Sequence, residues 1–326
     1  MRYALMIEAQ QGLSYEDQLA IARRAERVGF EAFFRSDHFA SFPGAADRPT
    51  TDAWTVLAGL ARETERIGLG TLVSPVTFRH PGTFAKQVTT VDHMSGGRIE
   101  VGVGAGWNAA DHLPLGLAFP PIGDRASLLE DQLALLHGLW TEPDGWSYEG
   151  AQVRVESARF RPKSVQVEGR PQGADGTARP RIIVGGGGSA RSMRLAARWA
   201  DEFNVTSAGP DEIAGKLRDV VAACRAAGRD PGTMTRSAMV STLVGETAAD
   251  VEARQEALFD ELGVADGRAA WFEQRRYRWI LGTPDEARAM VARLAAAGVE
   301  RLFLQDFIPR DLDHIDLLGR ELVAAG

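Results

Sequence analysis

Cysteine is nearly absent. Cys224 is the sole thiol in 326 residues, so no internal disulfide can form, and the chain fits a reducing cytoplasm. Lysine is almost as scarce: three of the 37 basic residues are Lys and the rest Arg, a skew that suggests a GC-rich genome more than a function. No run of five or more basic residues occurs and the formal charge is −7, so nucleic acid is not an expected partner. No stretch of 18 apolar residues occurs, so no membrane span is expected. The first apolar run, Tyr3–Ile7, is too short for a secretory signal and reads as a strand. Also missing are the HxxxH and HExxH spacings, any cysteine cluster and the GxSxG elbow. Their absence turns attention from metal sites and hydrolase triads toward redox chemistry performed by a bound organic cofactor.

What the chain does have is ordinary globular material, 44% hydrophobic and 25% charged. Short apolar runs alternate with longer helical patterns. Eight runs read as strands: Tyr3–Ile7, Ala32–Arg35, Gly68–Val73, Arg98–Val103, Arg181–Val184, Glu202–Thr206, Ser237–Val244 and Arg301–Gln305. Helix signals fall between them. Ser14 precedes two carboxylates, Gly29 follows the pattern, and Thr283-Pro284-Asp285-Glu286 opens a later helix that Gly298 closes. Strands separated by helices pair in parallel, and eight such units predict a (β/α)8 TIM barrel over an open doubly wound sheet with a second domain. No linker divides the chain, so residues 1–326 read as one domain. Two segments, about 142–180 and 246–282, exceed ordinary connections and read as insertions after strands four and seven. The first holds a hairpin signal near Tyr148-Glu149-Gly150, and the second carries Trp271, Phe272, Tyr277 and Trp279, aromatic residues for either a pocket or a core.

In a barrel, chemistry sits where strands end. His38 follows the second strand; it is either a proton-transfer group or a loop histidine satisfied by hydrogen bonds. Gly185, Gly186, Gly187 and Gly188 follow the fifth, with a helix opening near Ser189, and read as an anion cradle that Ser189 and Arg191 could supplement. The run is not the dinucleotide-binding fingerprint. Trp107 and Asn108 follow the fourth strand and offer a ring and an amide to a planar heterocycle, with core packing as the other reading of Trp107. Asp92–Arg98 lies at the opposite end and reads as structural, with an Asp92–Arg98 pair holding its turn; His93 is then a poor catalytic candidate.

Ser36-Asp37-His38-Phe39, Thr77-Phe78-Arg79-His80-Pro81 and Val91–Arg98 leading into Gly102–Asn108 resemble the bacterial luciferase-like monooxygenase superfamily. Gly185–Gly188 followed by Leu195–Asn204 resembles that family's phosphate-site helix and sixth strand, and the likeness covers nearly the whole chain. Asp37-His38 and Gly106-Trp107-Asn108 are similar to the branch that uses the deazaflavin coenzyme F420.

The resemblance implies a dimeric barrel with the cofactor ring in its mouth. It also implies a bulge after strand three with a non-prolyl cis peptide at Leu72–Val73 or Val73–Ser74. It assigns His38 the proton that accompanies hydride transfer, or the stabilising of charge on the substrate. It assigns Asp37, Leu72, Val73, Ser74, Asn108, Gly185–Gly188, Ser189 and Arg191 to the cofactor, and no residue to a metal. Two positions depart from the family pattern: Leu72, where many members have a small residue, and Asp111, where many have Glu. The expected activity is hydride transfer between F420 and a small organic substrate, with a flavin or F420 reductase as a possible supplier of reduced cofactor. The alternatives are an FMN-dependent monooxygenase using oxygen and a non-catalytic flavin-binding barrel.

Overall fold

The computed structural model describes residues 1–173, 176–263 and 267–324. Each predicted insertion therefore includes a short stretch, 174–175 or 264–266, outside the described residues, as do the last two residues of the predicted domain.

Eight strands close into a parallel barrel: β1 (Arg2–Ile7), β2 (Ala32–Arg35), β3 (Gly68–Pro75), β4 (Ile99–Gly104), β7 (Arg181–Gly186), β8 (Glu202–Thr206), β9 (Thr235–Val244) and β11 (Arg301–Asp306). They pair in the order β9-β11-β1-β2-β3-β4-β7-β8, and β8 pairs back onto β9. All eight expected strands are present at these positions. A short β10 (Ile280–Gly282) lies beside the end of β9, and β5 (Trp146–Glu149) with β6 (Arg154–Ala158) forms the separate hairpin.

The runs are rich in apolar residues because each strand is covered on both faces. On β1, Tyr3, Leu5 and Ile7 face the helical shell while Ala4 and Met6 join Phe34, Leu72, Ile183 and Phe303 inside the barrel. Helix α1 (Tyr15–Val28) begins with a Ser14–Asp17 capping box and ends at Gly29 with φ of 97°. Helix α9 (Pro284–Ala296) carries the matching Thr283–Glu286 box. Among the described residues no helix is long and apolar enough to cross a membrane.

The lower end of the barrel is closed by charge. Arg301 is buried at the first position of β11, stacked 4.8 Å over Phe303. It reaches Glu100 at 2.6 Å and Glu202 at 3.0 Å, and also contacts Glu31. Arg181 and Arg2 stand 3.8 and 3.9 Å from Glu100 and Glu31.

The 142–180 segment follows α4 (Ile122–Thr141), not the strand before it: its hairpin lies along α4, held by Asp131 and reaching Asp124 O, and its later part packs at this lower end. Its Arg170 takes both oxygens of Asp92 at 2.9 and 3.0 Å, and Val165 N–H donates to the same carboxylate. This corrects the expected Asp92–Arg98 pair. Arg98 turns instead to the carbonyls of Ala61, Thr64 and Ile67. The 246–282 segment does follow a strand end. Its α7 (Ala248–Glu261) crosses toward the loop after β2, where Arg48 bonds Glu261 Oε1 at 2.5 Å. Its aromatic residues resolve largely as core: Phe272 and Trp279 are buried with Leu243, Leu258, Phe259 and Leu281, while Tyr277 is exposed.

Candidate active site

The upper rim gathers the candidate site residues. His38, Val73, Asn108 and Gly185–Ser189 stand at or just beyond the ends of β2, β3, β4 and β7, which are consecutive in the sheet order. The imidazole and the glycine run therefore share one arc of one rim.

His38 is fixed by a residue 73 positions away. Its Nδ1 lies 2.7 Å from Asp111 Oδ2, and the other oxygen of Asp111 accepts Phe39 N–H at 2.9 Å and Ala40 N–H at 2.7 Å. An ionised carboxylate only accepts, so Nδ1 carries a proton and Nε2 lies on the side of the ring away from the pair. Asp111 is 1% exposed. Burial pushes its carboxyl up, but the His38 bond and charge and the two backbone donors outweigh it and hold it below the usual range. Phe42 and Trp107 meet the imidazole edge-on at 4.5 and 5.9 Å between ring centres. Trp107 is 68% exposed, which removes the core reading and leaves a ring standing at the mouth.

Asp37 and Ser74 stand beneath the rim. Asp37 is buried, its carboxylate paired with Arg79 at 2.6 Å and accepting Ser74 Oγ–H at 2.8 Å. Ser74 accepts from the Trp54 indole at 2.9 Å, and Arg79 also binds Asp52. Burial and then the Asp37 and Asp52 carboxylates act on Arg79 in opposite senses; the carboxylates prevail and raise it further. These side chains brace the segments that carry His38 and Val73.

The bulge on β3 is built by its neighbours. Register slips between Thr71 and Ser74 against β4, and the Leu72–Val73 peptide is cis, the first of the two expected bonds. Leu72 is buried in the barrel core and Val73 is half-buried against it. A Cβ on Gly104 or Gly185 would stand 2.8 or 2.9 Å from a Val73 methyl, and one on Gly102 only 2.2 Å from Thr71 O. Gly185, the penultimate residue of β7, thus makes room for the bulge. Gly186, at φ of 143°, and Gly187 have nothing within 4 Å of where a Cβ would be. Gly188, at φ of 76°, leads into α5 (Ala190–Trp199), whose N-cap Ser189 accepts Ser192 N–H. Arg191 reaches sideways to Gly123 O at 3.2 Å and Ser127 Oγ at 2.9 Å.

Asn108 caps a short turn by accepting Ala110 N–H, and its carbonyl lies 2.8 Å from His112 Nδ1. His112 Nε2 lies 2.6 Å from Thr77 Oγ1, tying the loop after β4 to the loop after β3. Asp111, His112 and Arg79 brace this rim, and sequence reading left them without a role. Their partners come from other strand ends, so no local spacing marks them. Among the described residues no cluster of His, Cys, Asp or Glu could hold a metal ion.

An uncharacterized protein of Mycobacterium tuberculosis is 31% identical over 300 residues, covering 85% of this chain and 92% of its own. An F420-dependent glucose-6-phosphate dehydrogenase of Nakamurella multipartita is 35% identical over 210 residues, covering 64% of this chain and 56% of its own. Among solved structures, an F420-dependent secondary alcohol dehydrogenase in complex with an F420-acetone adduct superposes with a TM-score of 0.80 at 19% identity, over 100% of this chain and 99% of that one. A monooxygenase from Streptomyces bottropensis gives 0.82 at 20% identity, over 100% and 99%; at such identities the fold alone is shared. The model of the luciferase-like monooxygenase family, whose members include oxidoreductases and monooxygenases, matches residues 1–302, and the chain belongs to that family.

Proposed function

We propose that this chain is an F420-dependent oxidoreductase that moves a hydride between the deazaflavin and a small organic substrate. The observation that carries the reading is the oriented His38–Asp111 pair on the same arc of rim as the glycine loop. The residues fit such a group. The Val73 bulge, packed against Gly104 and Gly185, presents a shelf for a flat ring, and the open Gly186–Gly187 backbone leaves room for an anionic tail. The bound deazaflavin would supply two electrons as hydride at C5 and reacts poorly with oxygen. His38 would give or take the accompanying proton at Nε2, with Asp111 stabilising the imidazolium between transfers. Trp107 and Phe42 would shield that edge from water. The choice of F420 is supported by the 35%-identical dehydrogenase.

The test is titration of the purified protein with F420 and with FMN, followed by fluorescence. Micromolar F420 binding with weaker FMN binding is expected. FMN binding without F420 binding would transfer the chain to the flavin-dependent side of the family. Binding of neither would remove the cofactor reading.

A further inference from the structure

We infer that Lys216, on α6 (Pro210–Ala226), is the cation that meets the cofactor's anionic tail at the glycine loop. This deepens the proposed function and rests on it. The lysine stem lies across the loop: a Cβ on Gly188 would stand 3.3 Å from Lys216 Cδ and 3.5 Å from Cγ. A glycine at this point keeps the stem close to the backbone that would hold the anion. The ammonium is parked 2.7 Å from Glu212 Oε1, one helical turn back, with the Lys216 side chain 20% and that of Glu212 55% exposed. Such an i,i+4 pair on a helix surface is weak and exchanges readily for a better partner.

The residue that sequence reading would choose is placed otherwise. Arg191 spends its guanidinium on Gly123 O and Ser127 Oγ, with Glu130 3.9 Å away. The Ser189 hydroxyl accepts the Ser192 N–H of its own helix. The other two lysines are held elsewhere: Lys86 Nζ donates to Arg161 O, and Lys163 Nζ donates to Leu139 O and Glu142 O. Lys216 is therefore the lysine at the loop, and its stem has the length and freedom to turn from Glu212 to a phosphoryl oxygen. An ammonium suits this role because it meets an anion as a point charge from many directions.

The test compares wild type, Lys216→Met and Arg191→Met by fluorescence titration with F420, and with the phosphate-free deazaflavin riboside, at low and moderate salt. Lys216→Met should weaken F420 binding about tenfold or more and flatten its salt dependence. It should leave riboside binding within about twofold, and Arg191→Met should leave F420 binding within about threefold. Wild-type F420 affinity in Lys216→Met overturns the inference, as does an equal loss of riboside binding. If wild type takes FMN instead, the same variants titrated with FMN and riboflavin decide the point. If wild type binds no cofactor, both readings fall together.

Discussion

Asp111→Asn should reverse the tautomer of His38 while leaving the fold in place. In the native site one carboxylate oxygen accepts Phe39 and Ala40 N–H, and the other faces His38 Nδ1 at 2.7 Å. The amide oxygen of Asn can keep the two backbone donors. Its NH2 then faces the imidazole, where it can only donate, so Nδ1 must become the acceptor and the proton must move to Nε2. One charge-assisted hydrogen bond is lost, worth about 1.5–3 kcal/mol, and the imidazolium loses its counter-charge. That range corresponds to a fall in kcat of roughly tenfold to a hundredfold, with cofactor affinity little changed. Nitrogen-15 spectra of the imidazole read the tautomer directly and need no substrate. Wild type should show the proton on Nδ1 and the variant on Nε2. The same pattern in both proteins would refute the orientation argument, whatever happened to turnover.

Three further outcomes follow from the rest of the molecule. His137 is held down to about 4 by burial and by the Arg179 and Arg229 charges, which outweigh its Trp199 carbonyl and Asp201; as pH falls from about 6.5 to 4 the unfolded chain takes up a proton the native one refuses, so up to about 3 kcal/mol of stability present above pH 6.5 is lost. Urea titrations at pH 7, 5.5 and 4 should show this slope in wild type and a shallower one in His137→Gln; equal slopes would contradict it. Gly102→Ala brings a methyl against Thr71 O and should lower the melting temperature by several degrees at an overpacking cost of about 1–3 kcal/mol, whereas Gly187→Ala, with open space around it, should shift melting by no more than about a degree. Arg301→Met strands Glu100, Glu202 and Glu31 together and should cost about 3–5 kcal/mol, with partial recovery when Glu202→Gln is added; no recovery would remove the charge explanation.

The barrel was readable because each of its strands is buried on both faces, which leaves apolar runs of unmistakable length, and because Ser14, Gly29 and Thr283 mark helix ends chemically. His38 and the glycine run were readable because their residue types are informative alone. Asp111 was not, since its meaning lies in a hydrogen bond to a loop 73 positions earlier. The direction of Arg191 was not readable either: an arginine beside a glycine loop looks like an anion ligand until the start of α4 offers it a carbonyl. Asp92 illustrates the same limit, because Arg170, 78 positions on, displaces the nearer Arg98. Glu100, Glu202 and Arg301 each sit near the start of a strand, where a charge reads as a solvated end, and only ring closure brings them together.

That ionic plug has a kinetic consequence. Together with the packed interior of Ala4, Met6, Phe34, Leu72, Ile183 and Phe303 above it, the plug fills the barrel from below, so among the described residues the rim is the open end. Whatever enters at the top must leave by the same doorway. Under the proposed chemistry, a tricyclic guest resting on the Val73 shelf would line the vessel, so the smaller reactant arrives after it and its product departs before it. Under that chemistry turnover would follow a compulsory order set by a barrel that is filled from below and opens at its rim.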